Sequence, residues 1–421
     1  MNQKLNEIMN KIGSQAQVSY KSLAKANTSQ KNEALELIAQ QIDLNYKQIL
    51  NENQKDIEIA ISNKKSEAII DRLTLNEDAI KGISDSIRKI IEIDDPVGKT
   101  ISSWERPNGL RIKRISIPIG VIGIIYESRP NVTADAAALC LKSGNASILR
   151  SGSDSFNSSY AIYKAIKTGL TSSDLDNKAI QFIPTKDREA VGLMLNGLNS
   201  NIDIIVPRGG KSLVSRVKDD ARIPVFGHLE GICHVYINKS AKLKNAINIT
   251  ANAKMRRTAI CGAAETLLID KEVAKKYLPK ICEKLIGLGC EIRGDKSVKE
   301  LYSAAKLASE SDWSKEYLDA IISVKIVKNI DEAIEHIEKY GTGHTEAIVA
   351  EDSTASNKFT QTLDSSIILV NASTQFADGG EFGFGAEIGI STGRLHARGP
   401  IGLEQLTTFK YTVEGNGQLR P

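Results

Sequence analysis

From about Ile115 onward, short β-branched runs alternate with stretches of helical periodicity, and that alternation leaves the chain few folds to choose from. Strand-like runs fall at 121–126, 146–149, 180–183, 202–206, around 225 and at 235–237, with helical stretches at 133–141, 159–167, 189–195 and 213–217 between them. A second set has strands at 266–269, 322–327, 346–349 and 367–370 and helices at 273–288, 331–339 and 355–363. Strand, helix, strand in repetition builds parallel sheets, because parallel neighbours need a crossover between them. The expected fold class is therefore α/β, with two lobes. At 421 residues the chain also exceeds the size at which one hydrophobic core stops growing.

Ahead of this block, residues 2–93 carry apolar positions at helical spacing, as in Ala34, Leu37, Ile38 and Ile42, and Asp94-Asp95-Pro96 ends the run. Two extended pieces flank Gly109, at 104–106 and 110–116, and read as a hairpin or arm. The longest apolar stretch, 115–126, is interrupted by Pro118, Gly120 and Gly123 and is too short to span a bilayer, which predicts no membrane association. A formal charge of +4 from interspersed basic and acidic residues, with 5% aromatics, predicts no nucleic-acid partner. Five cysteines without a Cys-x-x-Cys pair, and no secretory leader, point to a reducing cytoplasm.

Among these cysteines Cys261 stands apart, in the string Arg256-Arg257-Thr258-Ala259-Ile260-Cys261-Gly262-Ala263-Ala264-Glu265 at an expected helix-to-strand junction. Small neighbours leave room for a substrate carbonyl, and Arg256 and Arg257 favour a thiolate. A buried structural thiol is the commoner use of cysteine. The neighbouring motifs tip the reading toward a nucleophile.

No Gly-x-Gly-x-x-Gly follows any strand, so the usual dinucleotide fingerprint is absent. Two other post-strand turns are candidates for meeting phosphate: Pro207-Arg208-Gly209-Gly210-Lys211, through its backbone N–H groups, and Arg150-Ser151-Gly152-Ser153, through a cation and two hydroxyls. Each also reads as an ordinary surface turn. The five histidines have no metal-ligand spacing, and no metal is expected. His344, in the loop Tyr340-Gly341-Thr342-Gly343-His344-Thr345-Glu346, either faces a ligand or braces the loop. The glycines at 379, 380, 383, 385, 389 and 393 allow close backbone approach, with Phe376, Phe382 and Phe384 suggesting a packed segment.

Taken together, the stretch 327–348, the segment Ile117–Val132 containing Tyr126-Glu127-Ser128-Arg129-Pro130-Asn131, the Pro-Arg-Gly-Gly-Lys turn, the Cys261 string and 370–403 resemble the gamma-glutamyl phosphate reductase (glutamate-5-semialdehyde dehydrogenase) family, of the aldehyde dehydrogenase superfamily. The resemblance implies an aldehyde dehydrogenase-like fold with an NADPH-binding domain at 1–101 and 118–231. It further implies a catalytic domain at 232–403 and an oligomerisation element at 102–117 and 404–421. It implies NADPH-dependent reduction of L-glutamyl 5-phosphate in proline biosynthesis, a homo-oligomer, and a glutamate kinase as possible partner.

Carried over by position, Cys261 matches the nucleophile and Asn131 the amide that steadies the oxyanion. Glu316 matches a carboxylate on the nicotinamide ribose, and Arg150 the cation at the adenosine ribose, with Ser151 beside it. Ser153 stands where NAD-preferring relatives carry an acid, and losing that charge favours the 2′-phosphate of NADPH. Gly209, Gly210 and Lys211 are assigned to the cofactor; Arg129, Arg256, Arg257 and His344 to the substrate's carboxylate or phosphate. Hydrolytic relatives place a general-base glutamate in Glu-Leu-Gly-Gly; here the stretch reads His228-Leu229-Glu230-Gly231. A phosphate-releasing enzyme has no water to activate, which suits that change. An acyl-CoA-linked or NAD-linked dehydrogenase, and a noncatalytic kinase partner, are the rival readings.

Overall fold

The computed structural model describes residues 3–420. Five helices come first, α1 (Gln3–Leu23), α2 (Thr28–Leu44), α3 (Tyr46–Ser62), α4 (Glu67–Leu73) and α5 (Glu77–Glu92). Asn27 starts α2 with a capping box: its side chain accepts from the Gln30 N–H, and the Gln30 side chain accepts from the Asn27 N–H. The buried stripe of α5, Ile80, Ile83, Ile87 and Ile90, follows the helical period and faces the core.

The arm follows, with β1 (Thr100–Glu105) antiparallel to β2 (Arg111–Pro118) and Gly109 taking φ 82° in the turn between them. Then come β3 (Val121–Tyr126), α6 (Val132–Lys142), β4 (Ala146–Ser151), α7 (Phe156–Thr171), β5 (Ile180–Phe182), α8 (Glu189–Leu195), β6 (Ile204–Arg208) and α9 (Lys211–Asp220). These strands form a parallel sheet in the order β5-β4-β3-β6. Helices cover it, so β3 and β4 are buried along their whole length, as a central parallel strand requires. The last strand of this sheet runs two residues further than the β-branched pattern suggests, so Pro207 and Arg208 are sheet and only Gly209-Gly210 turn.

A second sheet is built from β7 (Cys233–Ile237), α10 (Leu243–Met255), β8 (Ala264–Asp270), α11 (Lys271–Gly287), β9 (Glu291–Gly294), α12 (Lys296–Leu301), β10 (Lys306–Leu307), β11 (Ile321–Val327), α13 (Ile330–Tyr340), β12 (Thr345–Val349), α14 (Ser353–Thr362) and β13 (Ile367–Val370). Its order is β10-β9-β11-β8-β7-β12-β13, parallel throughout. The glycine-rich segment beyond it is largely irregular, with a short antiparallel pair β14 (Ile390–Ser391) and β15 (Gly399–Pro400). Finally β16 (Thr407–Glu414) pairs antiparallel with β2, completing a three-stranded sheet β1-β2-β16.

The chain divides into two units. One comprises Met1–Gly227, Gly383–Gly389 and Ile401–Pro421, and the three-stranded sheet belongs to it; the other comprises His228–Phe382 and Ile390–Pro400. Among the described residues no helix is long and apolar enough to cross a membrane.

Candidate active site around Cys261

Three adjacent parallel strands of the second sheet, β8, β7 and β12, begin at one edge, and the loops leading into them carry Cys261, His228 with Gly231, and His344 respectively. One ligand-type atom from each of His228, Cys261 and His344 lies within 4.8 Å of the others. The cluster stands at the amino ends of its strands, whereas the common ligand position in open α/β sheets is the carboxyl end.

Cys261 is half-buried, while the other four cysteines are buried. Its backbone is held from several sides. The Cys233 thiol donates to the Cys261 carbonyl at 3.0 Å, and Ala263 N–H donates to the Ile260 carbonyl at 3.0 Å. Burial pushes the Cys233 thiol well above its usual range, so it stays a donor. Gly231 packs flat against the Cys261 loop, and its own N–H donates to Glu316 Oε1 at 2.9 Å. The Ile232 N–H donates to the Thr342 hydroxyl at 3.1 Å, tying the β7 and β12 entry loops together.

The tautomer of His228 is defined by its partner. His228 Nδ1 lies 2.8 Å from the Ile390 carbonyl oxygen, which only accepts, so Nδ1 carries the proton and Nε2 the lone pair. His344 is fully buried, with Nδ1 at 2.9 Å from Thr345 Oγ1 and 3.6 Å from Cys233 Sγ, and its Nε2 has no hydrogen-bond partner. The two rings meet edge to face with centroids 4.7 Å apart. A thiol beside basic imidazole nitrogens suits nucleophilic chemistry. His344 was legible as a site residue. His228 was legible only as a departure from a glutamate pattern, and its approach to Cys261 depends on two strands meeting across the fold.

Arg256 and Arg257 are exposed. Buried Gln375 braces them: it accepts from Arg256 Nη1 at 3.4 Å and donates to the Arg257 carbonyl at 3.1 Å. Behind the loop, Lys254 and Glu265 form a fully buried ion pair at 2.6 Å. Burial, offset by Lys254, pushes the Glu265 carboxyl up to about 7. Glu316 acts within this loop system through Gly231.

The remaining predicted residues lie in the other unit, at the carboxyl ends of β3, β4 and β6, where ligands of α/β sheets usually bind. Arg150 is buried, and burial lowers its pKa against the pull of Glu127. Its Nη2 donates to the Lys186 carbonyl at 3.3 Å, and its Nε has no partner. Ser151 Oγ, Asp154 Oδ1, Ser155 Oγ and Ser159 Oγ are likewise buried and unpartnered, while Ser153 is exposed. Buried polar atoms without partners are uncommon and mark a place where a polar ligand fits. Arg188 and Arg216 also act on Arg150 electrostatically, so the cationic field is larger than the Arg150 motif alone predicts. At the Gly209-Gly210 turn the Gly210 N–H donates to Glu127 Oε2 at 3.3 Å, so a carboxylate of the chain itself sits where a phosphate was expected. Gly209, Gly210 and Lys211 are exposed. Asn131 precedes α6, and its amide donates to Asp135 at 2.9 Å, leaving a second N–H on the same nitrogen. Arg129 is half-buried in the preceding turn, next to Ser128 at φ 50°.

A family model described as the aldehyde dehydrogenase family matches residues 3–299. A gamma-glutamyl phosphate reductase of Bartonella tribocorum is 57% identical over 97% of this chain and 100% of its own length. The chain belongs to the gamma-glutamyl phosphate reductase branch of the aldehyde dehydrogenase family. A gamma-glutamyl phosphate reductase of Brucella suis biovar 1 is also 57% identical, over 100% of both chains. The crystal structure of the Thermotoga maritima gamma-glutamyl phosphate reductase superposes with a TM-score of 0.96 at 45% identity, covering 98% of this chain and 100% of that one. The expected aldehyde dehydrogenase-like fold is thereby borne out, and the chain is an oxidoreductase of a family that uses nicotinamide cofactors.

Proposed function

We propose that the chain reduces L-glutamyl 5-phosphate to L-glutamate 5-semialdehyde, releasing inorganic phosphate, as a step of proline biosynthesis with NADPH as reductant. The observation that carries this reading is the half-buried Cys261 thiol within 4.8 Å of two histidines, in a chain 57% identical to gamma-glutamyl phosphate reductases.

In the mechanism, His228 Nε2 takes the Cys261 proton, since Nδ1–H is committed to the Ile390 carbonyl. The thiolate attacks the acyl carbon, the acyl–phosphate bond breaks, and phosphate leaves with the electron pair, giving a thioester. The nicotinamide cofactor supplies the hydride that reduces it. The oxyanion is steadied by a backbone N–H of the Cys261 loop and by the Asn131 amide, and its collapse expels the thiolate, which regains its proton. Arg129, Arg256, Arg257 and His344 are assigned to the substrate's anionic groups.

NADPH binding is assigned to residues 1–101 and 118–231, with Arg150, Ser151 and Ser153 toward the adenosine ribose phosphate, Gly209, Gly210 and Lys211 toward the pyrophosphate, and Glu316 toward the nicotinamide ribose. The unpartnered Arg150 Nε and Ser151 Oγ support the first of these. Residues 232–403 form the catalytic domain, and 102–117 with 404–421 the oligomerisation element. Every residue of edge strand β1 is exposed, as are Trp104, Tyr411 and Val413, which supports a sheet that continues into a second copy.

The test is the reverse reaction: NADP reduction with glutamate 5-semialdehyde, with and without phosphate, for wild type and Cys261→Ala. Turnover dependent on both phosphate and Cys261 is expected. Turnover without phosphate would overturn the acyl-phosphate assignment.

A further inference from the structure

We infer that His228, Cys261 and His344 form a reversible binding site for a divalent transition metal of the zinc class, and that occupancy silences the nucleophile. The metal site stands on the side chains alone, whichever acyl substrate the enzyme reduces; the silencing rests on the proposed role of Cys261 as nucleophile.

Two imidazoles and a thiolate are the donor set that borderline-soft cations prefer, and they recur in tetrahedral zinc sites. The three ligand atoms already lie within 4.8 Å of one another. With metal–sulfur and metal–nitrogen bonds of about 2.3 and 2.0 Å, tetrahedral ligation asks for separations of about 3.5 Å. Rotation of the half-buried Cys261 side chain supplies movement of that size, while His344 in the interior and His228 on the Ile390 carbonyl are held in place.

The surroundings match what a ligating histidine needs. Such a histidine commonly donates its second N–H to a carbonyl or other acceptor, which fixes the ring and raises the basicity of the ligating nitrogen. His228 does so to the Ile390 carbonyl, and His344 Nδ1 faces Thr345 Oγ1. For His228 the carbonyl partner puts the lone pair on Nε2, and His344 Nε2 is buried without a hydrogen-bond partner. No carboxylate joins the set, so Mg²⁺ and Ca²⁺, which require oxygen ligands, are excluded by chemistry.

Three protein ligands leave a fourth position for water or an anion. On binding, the Cys261 S–H bond breaks, a sulfur–metal bond forms with the sulfur's electron pair, and one proton goes to solvent. Affinity therefore rises with pH through that released proton. The bound sulfur has no free pair with which to attack an acyl carbon. A chelator restores it.

The experiment uses the full chain, freed of metal by chelation and titrated separately with Zn²⁺ and Co²⁺. Expected are one Zn²⁺ per chain by calorimetry and, with Co²⁺, a thiolate-to-metal charge-transfer band in the near ultraviolet. Cys261→Ser should remove that band and weaken Zn²⁺ by about 100-fold or more, since even loss of a residue that only supports a ligand costs 10–100-fold. Circular dichroism of the variant checks its fold. His228→Ala, at a half-exposed position, should weaken Zn²⁺ at least about tenfold while leaving a Cys-based band. Mg²⁺ should not compete. Zn²⁺ bound equally well by Cys261→Ser, a Co²⁺ spectrum without the charge-transfer band, or no stoichiometric binding at all would each overturn the inference.

Discussion

Gly231 lies against the backbone of Cys261 so closely that a Cβ on it would stand 2.8 Å from the Cys261 Cα. The loop entering β7 thus sets the depth of Cys261, and the Glu316 carboxylate fixes that loop through the Gly231 N–H. Gly231→Ala cannot be accommodated by a rotamer change, because the atoms it meets are backbone. Overpacking of this kind costs about 1–3 kcal/mol. We expect denaturant midpoints to fall accordingly and turnover to fall roughly 100-fold or more, since about 1 Å of misplacement has that effect. Wild-type turnover in a folded Gly231→Ala protein would mean that the contact has no functional role.

Removing the sulfur should abolish turnover without unfolding the chain. For Cys261→Ser we expect at least about a 10³-fold loss of kcat, in line with other deleted nucleophiles. His228→Asn should lose about 10²–10⁴-fold, as for a general base. The loss should appear in the burst of phosphate released before reduction. A His228→Asn enzyme with an unchanged burst rate would remove His228 from the proton transfer.

Cofactor choice is predicted to hinge on charge at the end of β4. Ser153 is exposed beside buried Arg150, so Ser153→Asp brings a carboxylate to the place assigned to a 2′-phosphate. The ratio of kcat/KM for NADPH over NADH should drop at least about tenfold, which is roughly 1.4 kcal/mol of repulsion. Arg150→Met should move the ratio in the same direction. An unaltered ratio in both variants would relocate the adenosine end of the cofactor.

His336 sets a pH dependence of stability. It is buried on α13 among Trp313, Tyr340 and His234, with the Lys325 ammonium 3.5 Å from its Nδ1. Burial, reinforced by His234, Lys325 and Lys339, lowers its pKa to about 2, whereas the unfolded chain titrates it near 6.5. Below pH 6.5 the unfolded state therefore binds the extra proton. The contribution of His336 is present above that pH and is lost as pH falls, by at most about 1.4 kcal/mol per unit. His336→Phe should flatten urea-derived stability between pH 6.5 and 5 by that slope. An identical slope in the variant would assign the acid sensitivity to other groups.

Much of the fold was legible because its central strands are buried on both faces. β3, β7, β8 and β12 read as short β-branched runs, and their positions match closely; the partly exposed edge strand β13 matches as well. A helix ahead of Cys261 is expected, but the extent of α10 leaves no clear pattern: its Asn, Ile and Thr residues are weak helix formers, and its stability comes from packing against α11 and β8. β9 and β10 are too short and too charged at their ends to show a period. At the site, the Cys261 string was conspicuous for its small residues. The meeting of His228, Cys261 and His344 was not, because it follows from the spatial order β8-β7-β12, and strand order leaves no local mark in a sequence.

Burial of Cys140, Cys233, Cys282 and Cys290 has a consequence for the chemistry of damage. Burial pushes the Cys282 and Cys290 thiols up to about 12 and the Cys140 and Cys233 thiols higher than their usual range. Electrophiles act on accessible thiolates, so in the folded protein they meet a single thiol that is not buried, Cys261. A limiting dose of a maleimide therefore counts Cys261 mole for mole. Modification is thereby confined to one loop, while the four thiols packed in the interior are spared.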